Sequence, residues 1–245
     1  MEKDFFKYLK PKDLKQNKIR LGPDEDGGYV CSEFLFDTCT TLFNYGVGNE
    51  TRYEYDFVKK YNKPAYLFDH TIGRESGSWG KDINFINEGL GFAQDNVSHF
   101  YEHYEKLGIE GEILLKVDVE GYEYDYFTNI DETKFDLVCG LMLEVHWLND
   151  SNNRKRFVEI MNVIDRHFVL NHIHGNVWGG VWEYDGVEIP NVLEMSFVNR
   201  RHIKEIHEDN NNYPIDGLDF SNKKNYPDLQ LNFLNKIQEW ENQHS

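Results

Sequence analysis

The sequence predicts one α/β domain organised around a doubly wound, mostly parallel β-sheet with an antiparallel edge hairpin. Strand-like and helix-like segments alternate from residue 42 to residue 170, which is typical of parallel strands joined by crossover helices on both faces of a sheet. Two of the strands are nearly continuous apolar runs, as expected for strands that are covered on both faces. Two later strands follow each other without a helix between them, and these predict the antiparallel edge.

The first half of the predicted sheet begins after a charged segment that contains one short helix. Residues 42–47 form a strand that runs into glycine, and the next helix carries Tyr53, Phe57 and Tyr61 on one face. The last helix of this half begins with cap-type residues and ends on a glycine. The elements predicted here are a short helix within residues 1–20, strands at 42–47, 64–69 and 84–91, helices at 50–61 and 94–108, and a loop at 73–80.

The second half of the predicted sheet contains the two apolar strands and the antiparallel edge. One of its helices is amphipathic, because Phe157, Ile160 and Ile164 belong to a single apolar stripe. A loop with tryptophan and glycine separates the last two strands. The elements predicted here are strands at 112–119, 137–147, 168–176 and 192–199 and helices at 122–130 and 151–168.

The chain divides into three predicted parts. Residues 1–41 are a helical and irregular lead-in with a loop close to the substrate or cofactor, residues 42–202 are the α/β core, and residues 203–245 are an irregular tail with a final helix. That helix has an apolar face, which indicates that it packs on the core; the alternative is a contact in a homodimer. Its apolar residues are Phe233, Leu234, Ile237 and Trp240.

Composition excludes several classes of partner. The chain has 26 Lys and Arg against 43 Asp and Glu, a formal net charge of −17, so unaided binding to nucleic acid or to an anionic membrane is not expected. No apolar stretch is long enough for a membrane-spanning helix, and no signal peptide is recognised, so we expect a cytoplasmic protein. The three cysteines contain no CxxC motif and are expected to be reduced.

A glycine-containing loop follows the first strand, at the end of the sheet where open α/β proteins bind ligands. It contains Gly46, Gly48, Asn49 and Glu50. The second strand ends in Asp69, an acid that suits the two hydroxyls of an adenosine ribose. The GxGxxG fingerprint is incomplete because Thr51 stands at its third glycine, and Glu50 would repel a pyrophosphate. A cationic ligand such as S-adenosylmethionine would tolerate Glu50; the alternative is a plain tight turn.

Three charged side chains share one face of the fourth predicted strand. Lys116, Asp118 and Glu120 recur at the period of two that places strand residues on the same face. Burying such charges costs several kcal/mol each unless they are paired. They therefore indicate either a bound ligand or metal, or a cluster of salt bridges at the end of the sheet.

The motif Lys-Val-Asp-Val-Glu-Gly at 116–121 resembles the signature of FkbM-type S-adenosylmethionine-dependent methyltransferases. The segments NYGVGNE, YLFDHTI and LEVHWL occur in the corresponding order around it, and the residues from Arg20 to Tyr29 resemble an N-terminal motif of a related branch. The resemblance spans about residues 20–200. It implies a Rossmann-like, seven-stranded class I methyltransferase fold and O-methylation of a sugar or similar hydroxyl. The cofactor-binding residues that it implies are Gly46, Gly48, Asn49, Glu50, Asp69, His70 and Asp118.

Polar side chains on the later strands are the candidates for activating the acceptor hydroxyl. One hypothesis is a divalent metal, Mg²⁺ or Mn²⁺, held by Asp118, Glu144 and one of His146 or His174. The alternative makes His146 or His174 the general base, with Lys116 as a further catalytic candidate. In a third interpretation the histidines are hydrogen-bonded structural residues. The substrate-binding candidates are Arg20, Asp26, Tyr29, Glu120, His172 and Asn176.

We therefore expect an S-adenosylmethionine-dependent O-methyltransferase that acts on a sugar, free or carried on a nucleotide, for a surface polysaccharide. Two alternatives come from other classes. His172 and His174 would fit a metal-binding, non-enzymatic, cupin-like sugar-binding module. A nicotinamide-dependent oxidoreductase of nucleotide sugars would share the fold, but Tyr122 and Tyr126 lack the lysine four residues later that such an enzyme needs.

Overall fold

The computed structural model describes residues 2–92, 96–184 and 186–242. Within these ranges the strands are β1 Lys12–Asp13, β2 Lys18–Leu21, β3 Tyr29–Ser32, β4 Thr41–Tyr45, β5 Ala65–Phe68, β6 Gly77–Gly80, β7 Ile83–Ile86, β8 Gly89–Leu90, β9 Val97–Ser98, β10 Ile113–Val117, β11 Val138–Val145, β12 Phe168–Gly175, β13 Val181–Tyr184, β14 Val187–Pro190, β15 Leu193–Asn199 and β16 His207–Glu208. The helices are α1 Glu2–Phe6, α2 Phe34–Thr38, α3 Arg52–Tyr61, α4 Phe100–Lys106, α5 Glu123–Thr128, α6 Ser151–His167 and α7 Phe233–Asn242, with short 3-10 turns at Glu132–Leu137, Val177–Gly179 and Arg200–His202.

The central sheet has eight strands in the order β12-β15-β11-β10-β4-β5-β7-β6. Strands β11, β10, β4, β5 and β7 are mutually parallel, whereas β15 runs antiparallel to both of its neighbours. The predicted α/β class and the antiparallel edge are therefore confirmed. The expected seven strands become eight because Gly77–Gly80, within the predicted loop at 73–80, pairs antiparallel with β7.

Alternation along the central strands divides the core into two layers. In β4, Phe43 and Tyr45 pack with helices α1, α4, α5 and α6 on one face of the sheet, whereas Leu42 packs with α2, α3 and the β2–β3 hairpin on the other. Strands β10 and β11 are buried along their whole length, as their apolar runs predict. The cupin-like alternative is wrong, because cupins consist almost wholly of strands and this sheet is covered by helices on both faces.

Helix boundaries follow from local chemistry. The side chain of Asp150 accepts hydrogen bonds from the backbone amides of Asn152 and Asn153 and so begins α6. Asn62 adopts the left-handed conformation that ends α3. The helix predicted at 94–108 begins at Phe100, after a capping box formed by His99 and Glu102; the first two residues of that prediction, Gln94 and Asp95, lie outside the described residues.

Short strands and the tail complete the domain. The loop predicted between the last two sheet strands contains the β13–β14 hairpin, and β1 pairs with β16 from the tail. Helix α7 packs on the core through the buried Phe233 and Ile237, whereas the side chain of Trp240 lies outside what the structure describes. The three cysteines are buried and free, as predicted. Among the described helices, none is long and apolar enough to cross a membrane.

Candidate functional site

A cavity of about 570 Å³ opens at the carboxyl ends of β4, β5 and β10. All seven residues predicted to bind the cofactor line it, together with Lys116 and three of the predicted substrate-binding residues, Asp26, Tyr29 and Glu120. The parallel register brings these motifs together, because Lys116 pairs with Asn44 and the ends of neighbouring strands meet at one edge. The predicted cofactor residues on its wall are Gly46, Gly48, Asn49, Glu50, Asp69, His70 and Asp118.

Gly46 has a more specific role than the sequence indicated. Its φ is +83°, and a Cβ atom there would lie 1.5 Å from the backbone oxygen of Asp118. The missing side chain therefore lets the end of β4 approach the end of β10, in addition to keeping the loop open. Gly48, with a φ of +55°, has no atom within 4 Å of the position that a Cβ would take, and it leaves open space toward the cavity.

Asp69 connects the second strand to the glycine loop. Its Oδ2 accepts a hydrogen bond from the backbone amide of Gly48 (3.1 Å), and its Oδ1 accepts from the amide and hydroxyl of Thr71 (2.8 and 2.7 Å). These bonds hold the carboxylate on the cavity wall. Glu50 forms an ion pair with Arg52, with 2.6 Å between Oε2 and Nη2, and this pairing lowers the pKa of Glu50.

Next to the cofactor motifs lies a cluster that we call the acid–imidazole cluster, made of Asp118, Glu120 and His146. One potential ligand atom from each lies within 4.8 Å of the other two. The His146 Nε2 lies 3.6 Å from Asp118 Oδ1 and 3.6 Å from Glu120 Oε2, whereas its Nδ1 lies 3.1 Å from a carboxylate oxygen of Glu123. A carboxylate on the far ring nitrogen is the usual way in which proteins orient a metal-binding imidazole.

The charge of His146 follows from these neighbours. Burial lowers the pKa of its imidazole, but the hydrogen bond and charge of Glu123 and the charges of Glu144 and Asp118 outweigh it and raise the pKa to about 9. An imidazole with that pKa carries a proton at neutral pH and cannot accept another. The free chain therefore does not present His146 as a ready general base.

Glu144 lies beside this cluster but is already bonded. Tyr29 donates its hydroxyl hydrogen to Oε2 (2.6 Å), and the amide of Asn176 donates to Oε1 (2.9 Å). Burial and the nearby charges of Asp118 and Glu194 raise the pKa of Glu144 well above its usual range. Its Oε1 lies 3.8 Å from His146 Nε2.

His174 and His172 do not join the acid–imidazole cluster, which corrects the version of the predicted metal set that uses His174 with Asp118 and Glu144; the His146 alternative lies within the cluster. Both ring nitrogens of His174 lie 3.0 Å from carboxylates, Nδ1 from Glu194 and Nε2 from Asp228, and these partners raise the pKa to about 10 despite burial. His172 Nε2 lies 2.8 Å from Asp219. Because Asp219 and Asp228 belong to the tail, these two histidines fasten the tail to the sheet.

Arg20 also has a structural environment that differs from its predicted role in substrate binding. Its guanidinium donates to the backbone oxygens of Pro23 and Glu25 (3.0 Å each) and lies over the ring of Phe220. It therefore shapes the loop that brings Asp26 to the cavity. Asn176, another predicted substrate residue, holds Glu144 instead of lining the cavity.

Several residues of the cavity were not predicted from the sequence. Asn44 and Glu54 are buried and line it, and Tyr122 lies at its wall with a partly exposed ring. The signal for Glu54 was present, because it follows Tyr53 on the inward face of α3, where a solvent-facing glutamate is not expected. Glu123, which follows the 116–121 motif and had no predicted role, is the fully buried partner of His146.

Comparisons with known proteins identify the family. None of the curated proteins matches the chain. Among solved structures, the Methanococcus jannaschii fibrillarin pre-rRNA processing protein is similar at a TM-score of 0.39 and 10% identity, over 67% of this chain and 68% of that chain. The family model of the methyltransferase FkbM domain matches residues 23–170, more than half of the chain, from the loop before β3 to the start of β12. The chain therefore belongs to the FkbM methyltransferase domain family.

Proposed function

We propose that this protein is an S-adenosylmethionine-dependent O-methyltransferase that acts on a hydroxyl group of a sugar. The observation that carries the proposal is a single cavity that is lined by the glycine loop and Asp69 and also by Asp118 and Glu120. A cofactor held by the first group would share this cavity with an acceptor held near the second. Because the family is one of methyltransferases, the nicotinamide-dependent alternative has no support.

The residues present fit the cofactor. Asp69, held by Gly48 and Thr71, retains carboxylate lone pairs that can accept hydrogen bonds from ribose hydroxyls. The acidic side chains on the wall, Asp26, Asp118 and Glu120, suit a ligand that carries a positive charge. When bound, the cofactor supplies an electrophilic methyl group on a sulfonium; the chain aligns the acceptor oxygen with it and excludes competing water.

We further propose that the acid–imidazole cluster binds a divalent cation. Two carboxylates and one imidazole suit Mn²⁺ or Mg²⁺, and the His146 Nε2 is buried, faces both carboxylates at 3.6 Å and has its other nitrogen occupied by Glu123. The ion would lower the pKa of a coordinated hydroxyl. In this proposal Glu120 takes the place of Glu144, and His146 is the ligand among the two histidines expected from sequence.

Aromatic side chains next to the cluster support a sugar as acceptor. Tyr122 and Trp147 are partly exposed, by 37% and 47%, and they follow the ends of β10 and β11. Exposed rings of this kind offer an apolar face to the C–H groups of a pyranose, while the acidic side chains take its hydroxyls. A nucleotide-linked sugar for a surface polysaccharide is the specific form that we propose.

The test begins with binding and ends with product. We expect isothermal titration calorimetry to detect binding of S-adenosylhomocysteine, and Asp69→Ala to weaken it. Incubation with S-adenosylmethionine, Mn²⁺ and a panel of free and nucleotide-linked sugars, followed by mass spectrometry, should give a product heavier by one methylene. Absence of S-adenosylhomocysteine binding in the folded protein would overturn the proposal. If only non-sugar hydroxyl compounds are methylated, the sugar part fails and the methyltransferase part stands.

A further inference from the structure

Part of the cavity wall is a buried group of charged and polar side chains that the proposed chemistry does not use. We call it the Lys116 chamber, and it consists of Lys116 on β10, Asn44 on β4, Glu54 on α3 and Tyr29 on β3. All four line the cavity and are at most 5% exposed. Lys116 and Asn44 are register partners on adjacent parallel strands, so their side chains leave the sheet side by side.

The chamber presents two hydrogen-bond acceptors without donors. The side-chain amide of Asn44 donates to Glu54 Oε1 at 2.6 Å, which leaves Asn44 Oδ1 and Glu54 Oε2 buried and without a partner among the described residues. Burial raises the pKa of Glu54, which the charge of Lys116 opposes. Buried acceptors of this kind usually have a donor, because leaving one unsatisfied costs about 1–3 kcal/mol. The two oxygens therefore suit a ligand group with several N–H donors.

The chamber also presents a cation without an ion pair. The Lys116 ammonium lies 4.2 Å from the centre of the Tyr29 ring, and no carboxylate of the described residues forms a salt bridge with it. The Tyr29 hydroxyl is directed away from Lys116, to Glu144 and Asp118. A buried ammonium with an aromatic face and the charge of Glu54 nearby, but without a direct ion pair, is costly, and an anionic ligand group would offset that cost.

One cation and two acceptors, side by side, are complementary to an α-amino acid, which carries one carboxylate and one ammonium on the same carbon. We propose that the Lys116 chamber binds the amino-acid end of the cofactor, with Lys116 contacting the carboxylate and Glu54 and Asn44 accepting from the ammonium. This inference rests on the proposed function, because it takes S-adenosylmethionine as the cofactor. It assigns Lys116 to cofactor binding instead of catalysis.

Two ligands that differ only at this end test the inference. S-adenosylhomocysteine carries the amino acid, whereas 5′-methylthioadenosine lacks it and keeps the adenosine and thioether. Calorimetry on the full chain should show that the wild type binds the first more tightly. Lys116→Met keeps approximately the length of the side chain and removes its charge. It should lower the affinity for S-adenosylhomocysteine about 10- to 100-fold and leave the affinity for 5′-methylthioadenosine unchanged. Glu54→Gln should act in the same direction.

Matched controls separate the possible results. Asp69→Ala should weaken the binding of both ligands equally, because Asp69 is proposed to contact the ribose that they share. Lys59→Met, on the exposed face of α3, should change the binding of neither ligand. Unchanged binding of 5′-methylthioadenosine also shows that a variant is folded. If the wild type binds both ligands equally, or if Lys116→Met and Glu54→Gln weaken both ligands alike or neither, the inference is wrong while the proposed function stands. If the wild type binds neither ligand, the proposed function itself fails.

Discussion

Replacement of Gly46 by alanine should disrupt the junction between the glycine loop after β4 and the end of β10 that carries Asp118. The added Cβ would lie 1.5 Å from the Asp118 backbone oxygen, and real Cβ contacts under 3.0 Å are essentially never seen, so the two strand ends must separate by about 1.5 Å. Two hydrogen bonds resist this movement, from the Gly46 amide to Phe68 and from the Asp118 amide to Tyr45, each 3.0 Å long. We expect a cost of about 1–2 kcal/mol for the left-handed backbone and about 1–3 kcal/mol for the overlap.

Urea denaturation and calorimetry would measure the two consequences. Gly46→Ala should lower the free energy of unfolding by roughly 2–5 kcal/mol. It should also weaken the binding of S-adenosylhomocysteine, because Asp118 and the glycine loop both line the cavity proposed for this ligand. Gly73→Ala is the matched control: its φ is +63° and nothing lies within 4 Å of the added Cβ, so it should show the backbone cost alone. Equal stability and equal ligand affinity of the two variants would refute the steric reasoning.

Three further predictions concern the ribose acid, the metal and the tail. Asp69→Ala should weaken S-adenosylhomocysteine by about 1–3 kcal/mol in calorimetry, and unchanged affinity would remove Asp69 from the ribose site. Glu123→Gln should lower Mn²⁺ affinity about 10- to 100-fold by releasing His146, with the exposed Glu159→Gln as control; full activity after exhaustive EDTA treatment would count against any metal. The pKa of His174 is about 10 when folded, against about 6.5 in an unfolded chain. Its imidazolium therefore stabilises the fold fully below about pH 6.5, and this contribution is lost as the pH rises toward 10. His174→Gln should make the free energy of unfolding fall less steeply over that interval, and an unchanged slope would contradict the assignment.

The predicted site residues that the structure brings together in one cavity are those that a strand delivers directly. Gly46, Asp69 and Asp118 each follow a strand of the parallel part of the sheet, and parallel strands place such residues at one edge whatever the loops do. The alternation of strands and helices was enough to predict this topology. Short irregular strands were missed, because Gly77–Gly80 has the composition of a loop and acquires its strand geometry only by pairing with β7.

The parts that sequence could not predict depend on partners far away in the chain. His172 and His174 alternate on a strand as metal ligands would, but Asp219 and Asp228 of the tail occupy their nitrogens, and nothing in the polar tail indicates that pairing. Glu54 lies on the inward face of α3, but the sequence does not indicate Asn44 of β4 as the side chain that it meets. In each case the local pattern gives the direction of the side chain but not the group that meets it.

The residues that form the cavity wall and those that hold the wall in place come from two different parts of the chain. The loop and acids that line the cavity lie within residues 23–170, the segment shared with the FkbM family. Residues beyond that segment hold one of these acids and two acids near them: Asn222 of the tail donates to Asp26 and to Glu194, and Asn176 donates to Glu144. The backbone amide of Asp26 also donates to the backbone oxygen of Asn222. Because Asp26 lines the cavity, the tail sets the position of this part of the cavity wall. The shared segment thus carries the residues that we propose for the cofactor and the cation, whereas the part outside it positions Asp26 on the cavity wall.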